Sequence, residues 1–327
     1  MSKKILVTGS EGFIGSHLVE KLLKQKNKVT ALILYNSFSH KGWLENIGSK
    51  NKNLDLVFGD LNSFDFVKNI TKNCNKIFHL GAQISIPYSY KTPETFLNNN
   101  VRGTLNVLEA AKENKIKKVI VTSTSEVYGS ARYTPIDENH PLNAQSPYSA
   151  SKIAADKFAE SYALSFNLPV IIARPFNNYG PRQSTRAIIP TIIRQLIEKN
   201  EIRLGNINTS RDFIYVEDTV DAMIKLSNSK FKQAEVFNIC TGKTIKILDL
   251  VKMISKILKI KPKIIIESKR KRPKSSEVNL LLGSNKKIKK IISWKNKISL
   301  NEGLIKTVNW LQDEKNLKYY SSTEYNL

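Results

Sequence analysis

The chain has 327 residues, of which 41% are hydrophobic and 24% charged, an ordinary globular balance with room for a main domain and a smaller partner. Its formal net charge of +24 would suit a nucleic-acid-binding protein, but no zinc-finger, recognition-helix or aromatic ribonucleoprotein motif accompanies the lysines. We therefore interpret the charge as a solvated surface whose field attracts an anionic substrate, and we expect no nucleic-acid partner.

Several other classes of protein are disfavoured by the sequence. It contains no run of 18 apolar residues and no uninterrupted apolar stretch near the N-terminus, so we expect neither a membrane partner nor a secretory signal. Cys74 and Cys240 are the two cysteines, and they form neither a disulfide framework nor a Cys/His cluster with metal spacing. The expected location is the cytoplasm, and no metal site is predicted.

A glycine-rich turn follows the first predicted strand, at 4–8. Gly9, Gly12 and Gly15 give the pattern G-x-x-G-x-x-G and lead into a predicted helix at 13–26. Glycines at such a turn let backbone N–H groups approach a pyrophosphate at the helix N-terminus. An ordinary strand-to-helix turn is the alternative, but the placement between strand and helix favours dinucleotide binding.

Strand-like and helical patterns alternate through the first half of the chain. The predicted strands lie at 4–8, 29–34, 54–58, 76–80, 118–123 and 169–174, and the predicted helices lie at 13–26, 63–72, 95–114 and 147–166. This alternation predicts an α/β protein with a Rossmann-like, doubly wound parallel sheet. The rhythm then becomes irregular, with helices at 185–200, 217–227 and 246–258 and strands at 211–216 and 236–239. We predict a dinucleotide-binding domain (1–174 plus 212–240) and a smaller, discontinuous C-terminal substrate-binding region (175–211 plus 241–327).

The predicted helix at 147–166 carries a tyrosine and a lysine on one face. Tyr148 and Lys152 are four residues apart, and Ser146 with Pro147 suit the start of the helix. An ammonium beside a phenol favours the phenolate and lowers the pKa, which predicts Tyr148 as a base near neutral pH. A solvated helix face would explain such a pair equally well without the glycine-rich turn.

A second base is offered after the predicted fifth strand. Thr124, Ser125 and Glu126 stand there, and simple alcohol oxidation does not require the Glu126 carboxylate. A chain with a tyrosine base and a glutamate base can remove two protons from one substrate. The three residues could also only cap the strand end.

These motifs together resemble the extended short-chain dehydrogenase/reductase family, in its nucleotide-sugar epimerase/dehydratase branch, over nearly the whole chain. The resemblance rests on the following segments: Gly9-x-x-Gly12-x-x-Gly15, Gly59-Asp60-Leu61, His79-Leu-Gly-Ala82, Asn100-Val-Arg-Gly-Thr104, Thr124-Ser-Glu126, Tyr148-x-x-x-Lys152, Arg174-Pro-Phe-Asn177, Tyr179-Gly-Pro181 and Arg211-Asp212. Within the branch the chain looks like a sugar-nucleotide 4,6-dehydratase. It is similar to the GDP-mannose 4,6-dehydratases and most similar to the N-acetylglucosamine 4,6-dehydratases of legionaminic acid pathways.

The resemblance implies a reaction and a set of residues. The reaction is oxidation of the sugar at C4 by NAD or NADP, loss of water across C5 and C6, and reduction at C6, so that the cofactor stays bound and is regenerated in each turnover. The implied catalytic residues are Thr124, Ser125, Glu126, Tyr148 and Lys152. The implied cofactor contacts are Gly9, Gly12, Phe13, Ile14, Gly15, Asn36, Asp60, Leu61, Gly81, Ala82, Asn100, Tyr148 and Lys152. The implied contacts to the nucleotide-sugar substrate are Gln83, Ser85, Asn177, Arg186, Arg211 and Arg272.

One departure from the family pattern concerns the second predicted strand. Many NAD-using relatives end it with an aspartate that holds the adenosine ribose, whereas this chain has Tyr35 and Asn36, and no arginine clearly replaces the aspartate for a 2′-phosphate. The choice between NAD and NADP is therefore open in the sequence.

Partners and rival functions complete the expectations. Val101, Leu105 and Leu108 recur at helical spacing, and the resemblance implies a homodimer through a four-helix interface, although packing inside the monomer explains them nearly as well. Rival functions are a nucleotide-sugar 4-epimerase, which needs no second base, a UDP-glucuronate decarboxylase, and a non-catalytic nucleotide- or RNA-binding protein.

Overall fold

The computed structural model describes residues 4–45, 47, 51–231, 234–270, 273–317 and 319–320. The strands are β1 (Lys4–Thr8), β2 (Lys28–Leu34), β3 (Leu54–Gly59), β4 (Cys74–His79), β5 (Lys118–Thr122), β6 (Val170–Pro175), β7 (Asn177–Tyr179), β8 (Glu201–Leu204), β9 (Ser210–Arg211), β10 (Phe213–Tyr215), β11 (Glu235–Ile239), β12 (Ile245–Lys246), β13 (Lys263–Ile266) and β14 (Leu280–Leu281). The helices are α1 (Phe13–Lys24), α2 (Phe64–Thr71), α3 (Ile86–Ser89), α4 (Pro93–Phe96), α5 (Gly103–Glu113), α6 (Pro147–Phe166), α7 (Ile188–Lys199), α8 (Val216–Ser227), α9 (Ile247–Leu258), α10 (Lys286–Ile292), α11 (Leu300–Gln312) and α12 (Glu314–Leu317).

Seven strands form one parallel sheet in the order β11-β6-β5-β4-β1-β2-β3. The strand order reverses between β1 and β4, and open α/β sheets bind ligands at the carboxyl ends of the strands beside such a point. The predicted Rossmann-like, doubly wound sheet is confirmed.

Helices cover both faces of this sheet, and its strands are accordingly nearly continuous apolar runs. In β1, Ile5 and Val7 pack into the core beneath α1 and α8, while Leu6 between them packs into the core beneath α2, α5 and α6. Successive strand side chains point to opposite faces, so one short strand serves both layers.

The helix predicted at 95–114 differs in detail from the observed one. The structure has α4, then a π-helical turn at Leu97–Arg102, then α5. Leu108 is fully buried in the monomer core and Leu105 packs partly buried against it, so neither is available as a purely intermolecular contact.

A third core lies outside the main sheet. It joins α7, α9 and α11 to the two-stranded pair β8 and β13, with Ile193, Leu250 and Leu304 among its buried members. These elements belong to the predicted substrate-binding region, and the domain boundaries given above stay a prediction. Within the described residues, no helix is long and apolar enough to cross a membrane.

Candidate active site

A cavity of about 1330 Å³ opens along the carboxyl ends of the main sheet. Its walls come from the segments that follow β1, β2, β3, β4, β5 and β6, together with residues before α7 and between β8 and β10. The volume suits two large ligands side by side, since drug-sized ligands occupy roughly 300–1,000 Å³.

The glycine-rich turn forms one end of the cavity. Gly9 has a φ of 62°, and a Cβ there would lie 2.8 Å from Gly81 Cα, so the turn after β1 and the turn after β4 touch. A Cβ on Gly15 would lie 2.1 Å from Gly9 O, so α1 packs against the turn too closely for any side chain at this position. Gly12 precedes the first turn of α1, where its backbone is open to the cavity. This geometry fits a pyrophosphate at the helix N-terminus.

The other predicted cofactor contacts lie mostly on the same walls. The lining residues among them are Gly9, Gly12, Phe13, Ile14, Gly15, Asp60, Leu61, Gly81, Ala82, Tyr148 and Lys152. Asp60 ends the wall formed by β3, where its Oδ1 accepts from the backbone and side-chain nitrogens of Asn62 at 2.9 and 3.0 Å.

Asn100 and Asn36 are not among the residues that line the cavity. Asn100 is fully buried behind it, where its amide binds the backbone of Gln83 at 2.7 and 3.0 Å and Ser151 Oγ at 2.9 Å. It therefore positions the wall after β4 against α6. Asn36 uses its amide to close its own loop, donating to Leu34 O and His40 O and accepting from His40 N.

The predicted catalytic residues meet at the centre of the cavity. Thr124, Ser125, Glu126, Tyr148 and Lys152 all line it. A 3₁₀ turn at Ser125–Tyr128 carries Glu126, and a Ser146 capping box starts α6 just before Tyr148. These local features explain why the two segments present their side chains to one space.

The ionisation of Tyr148 differs from the sequence expectation. Burial raises the pKa of Tyr148 well above its ordinary value, the hydrogen bond from Thr124 lowers that pKa, and the Glu126 carboxylate raises it. Lys152 Nζ donates to Thr122 O at 2.7 Å, and burial lowers the pKa of its ammonium. The lowered phenol pKa expected from Lys152 is therefore not found in the ligand-free chain, where loss of hydration is the largest influence on the pKa of Tyr148.

A buried ion pair lies beneath Lys152, one turn further along α6. Asp156 accepts from Arg174 Nη2 at 2.9 Å and from Ser123 Oγ at 2.9 Å, and both members of the pair are almost fully buried. Arg174 Nη1 also donates to Tyr128 Oη at 3.1 Å. The pair ties α6 to β5 and β6, which carry the rest of the site.

Five of the six predicted substrate contacts also line the cavity. Those that line it are Gln83, Ser85, Asn177, Arg186 and Arg211. Arg211 is buried, and its Nη2 lies 3.6 Å from Glu277 Oε1, so its guanidinium is paired with an acidic residue. Arg272 lies outside the described residues.

Several cavity residues had not been singled out from the sequence: Glu11, His40, Trp43, Arg182, Gln183, Arg270, Glu277 and Tyr319. Arg182 reaches α1, donating to Ser16 Oγ at 3.2 Å and Glu20 Oε1 at 2.9 Å. Trp43 stacks edge-on against Trp310 and Tyr319. The sequence held one usable signal for Glu11, a carboxylate inside the glycine-rich turn of a chain whose β2 ends without one.

Comparison with known proteins identifies the family of the chain. Residues 6–307 match the family model described as GDP-mannose 4,6 dehydratase. The dTDP-D-glucose 4,6-dehydratase of Dictyostelium discoideum is 36% identical over 271 residues, covering 78% of this chain and 62% of the relative.

Two of the similar solved structures are an epimerase and a dehydratase. The UDP-N-acetylglucosamine 4-epimerase of Methanobrevibacter ruminantium, in complex with UDP-N-acetylmuramic acid, has a TM-score of 0.86 at 33% identity and covers 95% of this chain and 98% of its own. DesIV, a dTDP-glucose 4,6-dehydratase from Streptomyces venezuelae solved with NAD bound, has a TM-score of 0.87 at 25% identity and covers 97% and 99%.

Proposed function

The chain belongs to the GDP-mannose 4,6-dehydratase family, and from that premise we propose that it is a sugar-nucleotide 4,6-dehydratase. The observation that carries the proposal is Glu126, whose half-buried carboxylate lines the cavity near enough to Tyr148 to raise the pKa of that phenol. A 4-epimerase needs only one base at this point, whereas a dehydratase needs a second to remove the proton at C5.

NAD is the cofactor in this proposal. The turn at Gly9–Gly15 and the N-terminus of α1 would hold its pyrophosphate, Asp60 and Leu61 would lie beside its adenine half, and Tyr148 and Lys152 beside its nicotinamide half. When bound, NAD supplies a hydride acceptor at C4 of the sugar and later a hydride donor at C6.

The chain's own residues perform the proton transfers. Tyr148 accepts the proton of the 4-hydroxyl at its Oη, and Thr124 holds the same oxygen by hydrogen bonding. The resulting 4-keto group acidifies the hydrogen at C5. Glu126 would remove that proton and pass it to the C6 hydroxyl, which leaves as water, and C5 would take up a proton again once C6 has been reduced. Ser125 lines the same wall and is positioned to assist that departing oxygen. Positive charge from Lys152 and the oxidised cofactor would offset the burial that raises the pKa of Tyr148.

The substrate we propose is UDP- or GDP-linked N-acetylglucosamine. Arg211 and Arg186 would meet the diphosphate, since a guanidinium binds phosphate oxygens in a two-pronged arrangement, and Asn177 lines the same cavity. Gln83 and Ser85 would contact the sugar from the turn after β4. The net charge of +24 favours such an anionic substrate.

A homodimer through α5 and α6 is part of the same proposal. Four apolar side chains on the π-helical turn before α5 and on α6 are exposed: Leu97, Phe158, Leu164 and Phe166. A second copy would remove this apolar surface from water.

The second candidate function is a nucleotide-sugar 4-epimerase, favoured by the likeness to the Methanobrevibacter epimerase over nearly the whole chain. It would use the same cofactor and the same Tyr148 and Lys152. Glu126 would then have no proton to remove.

Replacement of Glu126 separates the two functions. Glu126→Gln keeps the size of the side chain and cannot accept the C5 proton, so C4 oxidation should proceed and reduced nicotinamide should accumulate on mixing with substrate, seen as near-ultraviolet absorbance. Water loss should slow by about two to four orders of magnitude, the usual contribution of a general base. Tyr148→Phe should instead block the first step, with no reduced cofactor.

Release of dehydrated product by Glu126→Gln at the wild-type rate would remove the main support for the dehydratase. Normal epimer formation by the same variant would support the epimerase.

A further inference from the structure

We propose that Glu11 replaces the missing aspartate of β2, so that its carboxylate receives the adenosine ribose hydroxyls of the dinucleotide and makes the chain select NAD over NADP. This inference rests on the dinucleotide binding proposed above. It assigns a specificity role to a residue of the glycine-rich turn itself.

The first argument is position. Glu11 stands between Gly9 and Gly12, yet its Oε1 accepts a hydrogen bond from the backbone nitrogen of Leu34 at 2.9 Å. Leu34 is the last residue of β2. The carboxylate therefore sits at the carboxyl end of β2, where doubly wound dinucleotide-binding folds place the acid that binds the ribose.

The second argument is an unused hydrogen-bond acceptor. Glu11 Oε2 is buried and has no hydrogen-bond partner among the described residues, and Glu11 lines the cavity. A buried carboxylate oxygen without a donor is costly, so the site is completed by a ligand that brings a hydroxyl or another donor. A ribose diol supplies two adjacent O–H donors.

The third argument is that the stretch 28–45 offers the cavity no cationic side chain that could bind a 2′-phosphate. Through the fully described stretch 28–45, no lysine or arginine lines the cavity. Asn36 is occupied by its own loop, and the Tyr35 side chain is 68% exposed. A second carboxylate, Glu45, also lines the cavity.

These charges decide between the two dinucleotides. A 2′-phosphate would add about two negative charges to a cavity that Glu11 and Glu45 line, and no lysine or arginine of 28–45 lines it to offset the repulsion. A free 2′-hydroxyl would instead donate to the Glu11 oxygen, and hydrogen bonds to a charged acceptor are the stronger kind. Backbone hydrogen bonding from Leu34 fixes the carboxylate in this orientation before the ligand arrives.

Calorimetry on the full-length chain, freed of co-purified nucleotide, tests the inference. Wild-type protein should bind NAD about 100-fold more tightly than NADP, and about tenfold more tightly than an NAD analogue whose adenosine lacks the 2′-hydroxyl. Glu11→Gln can still accept from Leu34 N through its amide oxygen, and it should narrow the NAD-to-NADP ratio by about tenfold or more.

Asp55→Asn is the matched control. Asp55 is an exposed carboxylate on β3 that pairs with Lys4 outside the cavity, so its loss removes the same charge and should leave the ratio within about twofold. An unchanged ratio in Glu11→Gln, or equal wild-type affinity for NAD, NADP and the deoxy analogue, would overturn the inference and leave the proposed function intact. Binding of none of the three would overturn both. The wild-type comparison alone decides the matter if the variant does not fold.

Discussion

At Tyr148 two physical effects oppose each other. The phenol is buried, which raises its pKa, and it must nevertheless give up its proton to act as a base. Lys152 lies four residues after Tyr148 on α6, and in the ligand-free chain its ammonium donates to the carbonyl oxygen of Thr122. The ammonium is thus already held close by, and its effect on the phenol should be largest once substrate and cofactor have displaced water from the cavity.

This arrangement predicts a shifted pH profile for Lys152→Met. Loss of the ammonium raises the pKa of Tyr148 further, so less phenolate exists at neutral pH and the rate recovers as pH rises. The acid side of the kcat profile should move to higher pH by roughly one unit or more. Lys157→Met is the control, because Lys157 lies on the same helix, is largely exposed and pairs with Glu160. A superimposable profile for Lys152→Met would show that the ammonium has no influence on the base.

The sequence predicts those site residues that lie close together in the chain or directly after a strand. Tyr148 and Lys152 share a helix face, and Thr124 and Glu126 follow one strand, so their convergence follows from the order of the elements. The positions of the Glu11 and Asn100 side chains depend instead on hydrogen bonds from residues distant in the chain, Leu34 to Glu11 and Gln83 to Asn100. Nothing in the spacing indicates those contacts, and only folding brings them together.

At the scale of elements, the junction of β1 and α1 places two glycines under different constraints. Gly15 is enclosed, whereas a Cβ on Gly12 would meet only Gly9 O, at 3.4 Å, and Gly12 has φ and ψ of −78° and −176°, which any residue adopts. Neither the backbone conformation nor the neighbouring atoms therefore require glycine at Gly12, and we infer that the open space there holds a ligand.

Paired substitutions should separate stability from binding. Gly12→Asp should preserve the thermal unfolding midpoint, since aspartate caps helices well, and abolish dinucleotide binding by filling the space and adding negative charge. Gly15→Ala should lower the free energy of unfolding by about 1–3 kcal/mol through overpacking. Calorimetry with NAD and thermal unfolding of both variants provide the readouts. Tight NAD binding by Gly12→Asp would exclude the turn as the pyrophosphate site.

Element boundaries show what periodicity alone predicts. The predicted strands of the main sheet agree with β1 to β6 because buried parallel strands are apolar runs bounded by turns. The π-helical turn at Leu97–Arg102 was not predicted, since apolar spacing hardly distinguishes it from an α-helix. The parallel pairing of β8 with β13 joins segments about 60 residues apart, a non-local contact that sequence patterns do not encode.

At the scale of the whole molecule, the cavity lies where the strand order reverses beside β1 and β4, and Ile189, Leu204 and Ile247 of the third core also line it. The glycine-rich turn, both proposed bases and the arginines Arg186 and Arg211 share this one cavity. In the proposed function, a dinucleotide and a nucleotide sugar meet there, and the net positive charge favours both anions.

Mass spectrometry of the product tests the dehydratase most directly. Wild-type protein incubated with UDP- and GDP-linked N-acetylglucosamine in deuterated water should convert one of them to a 4-keto product lighter by one water, with solvent deuterium at C5. A product of unchanged mass with inverted configuration at C4 would contradict the dehydratase and assign the chain to the epimerases.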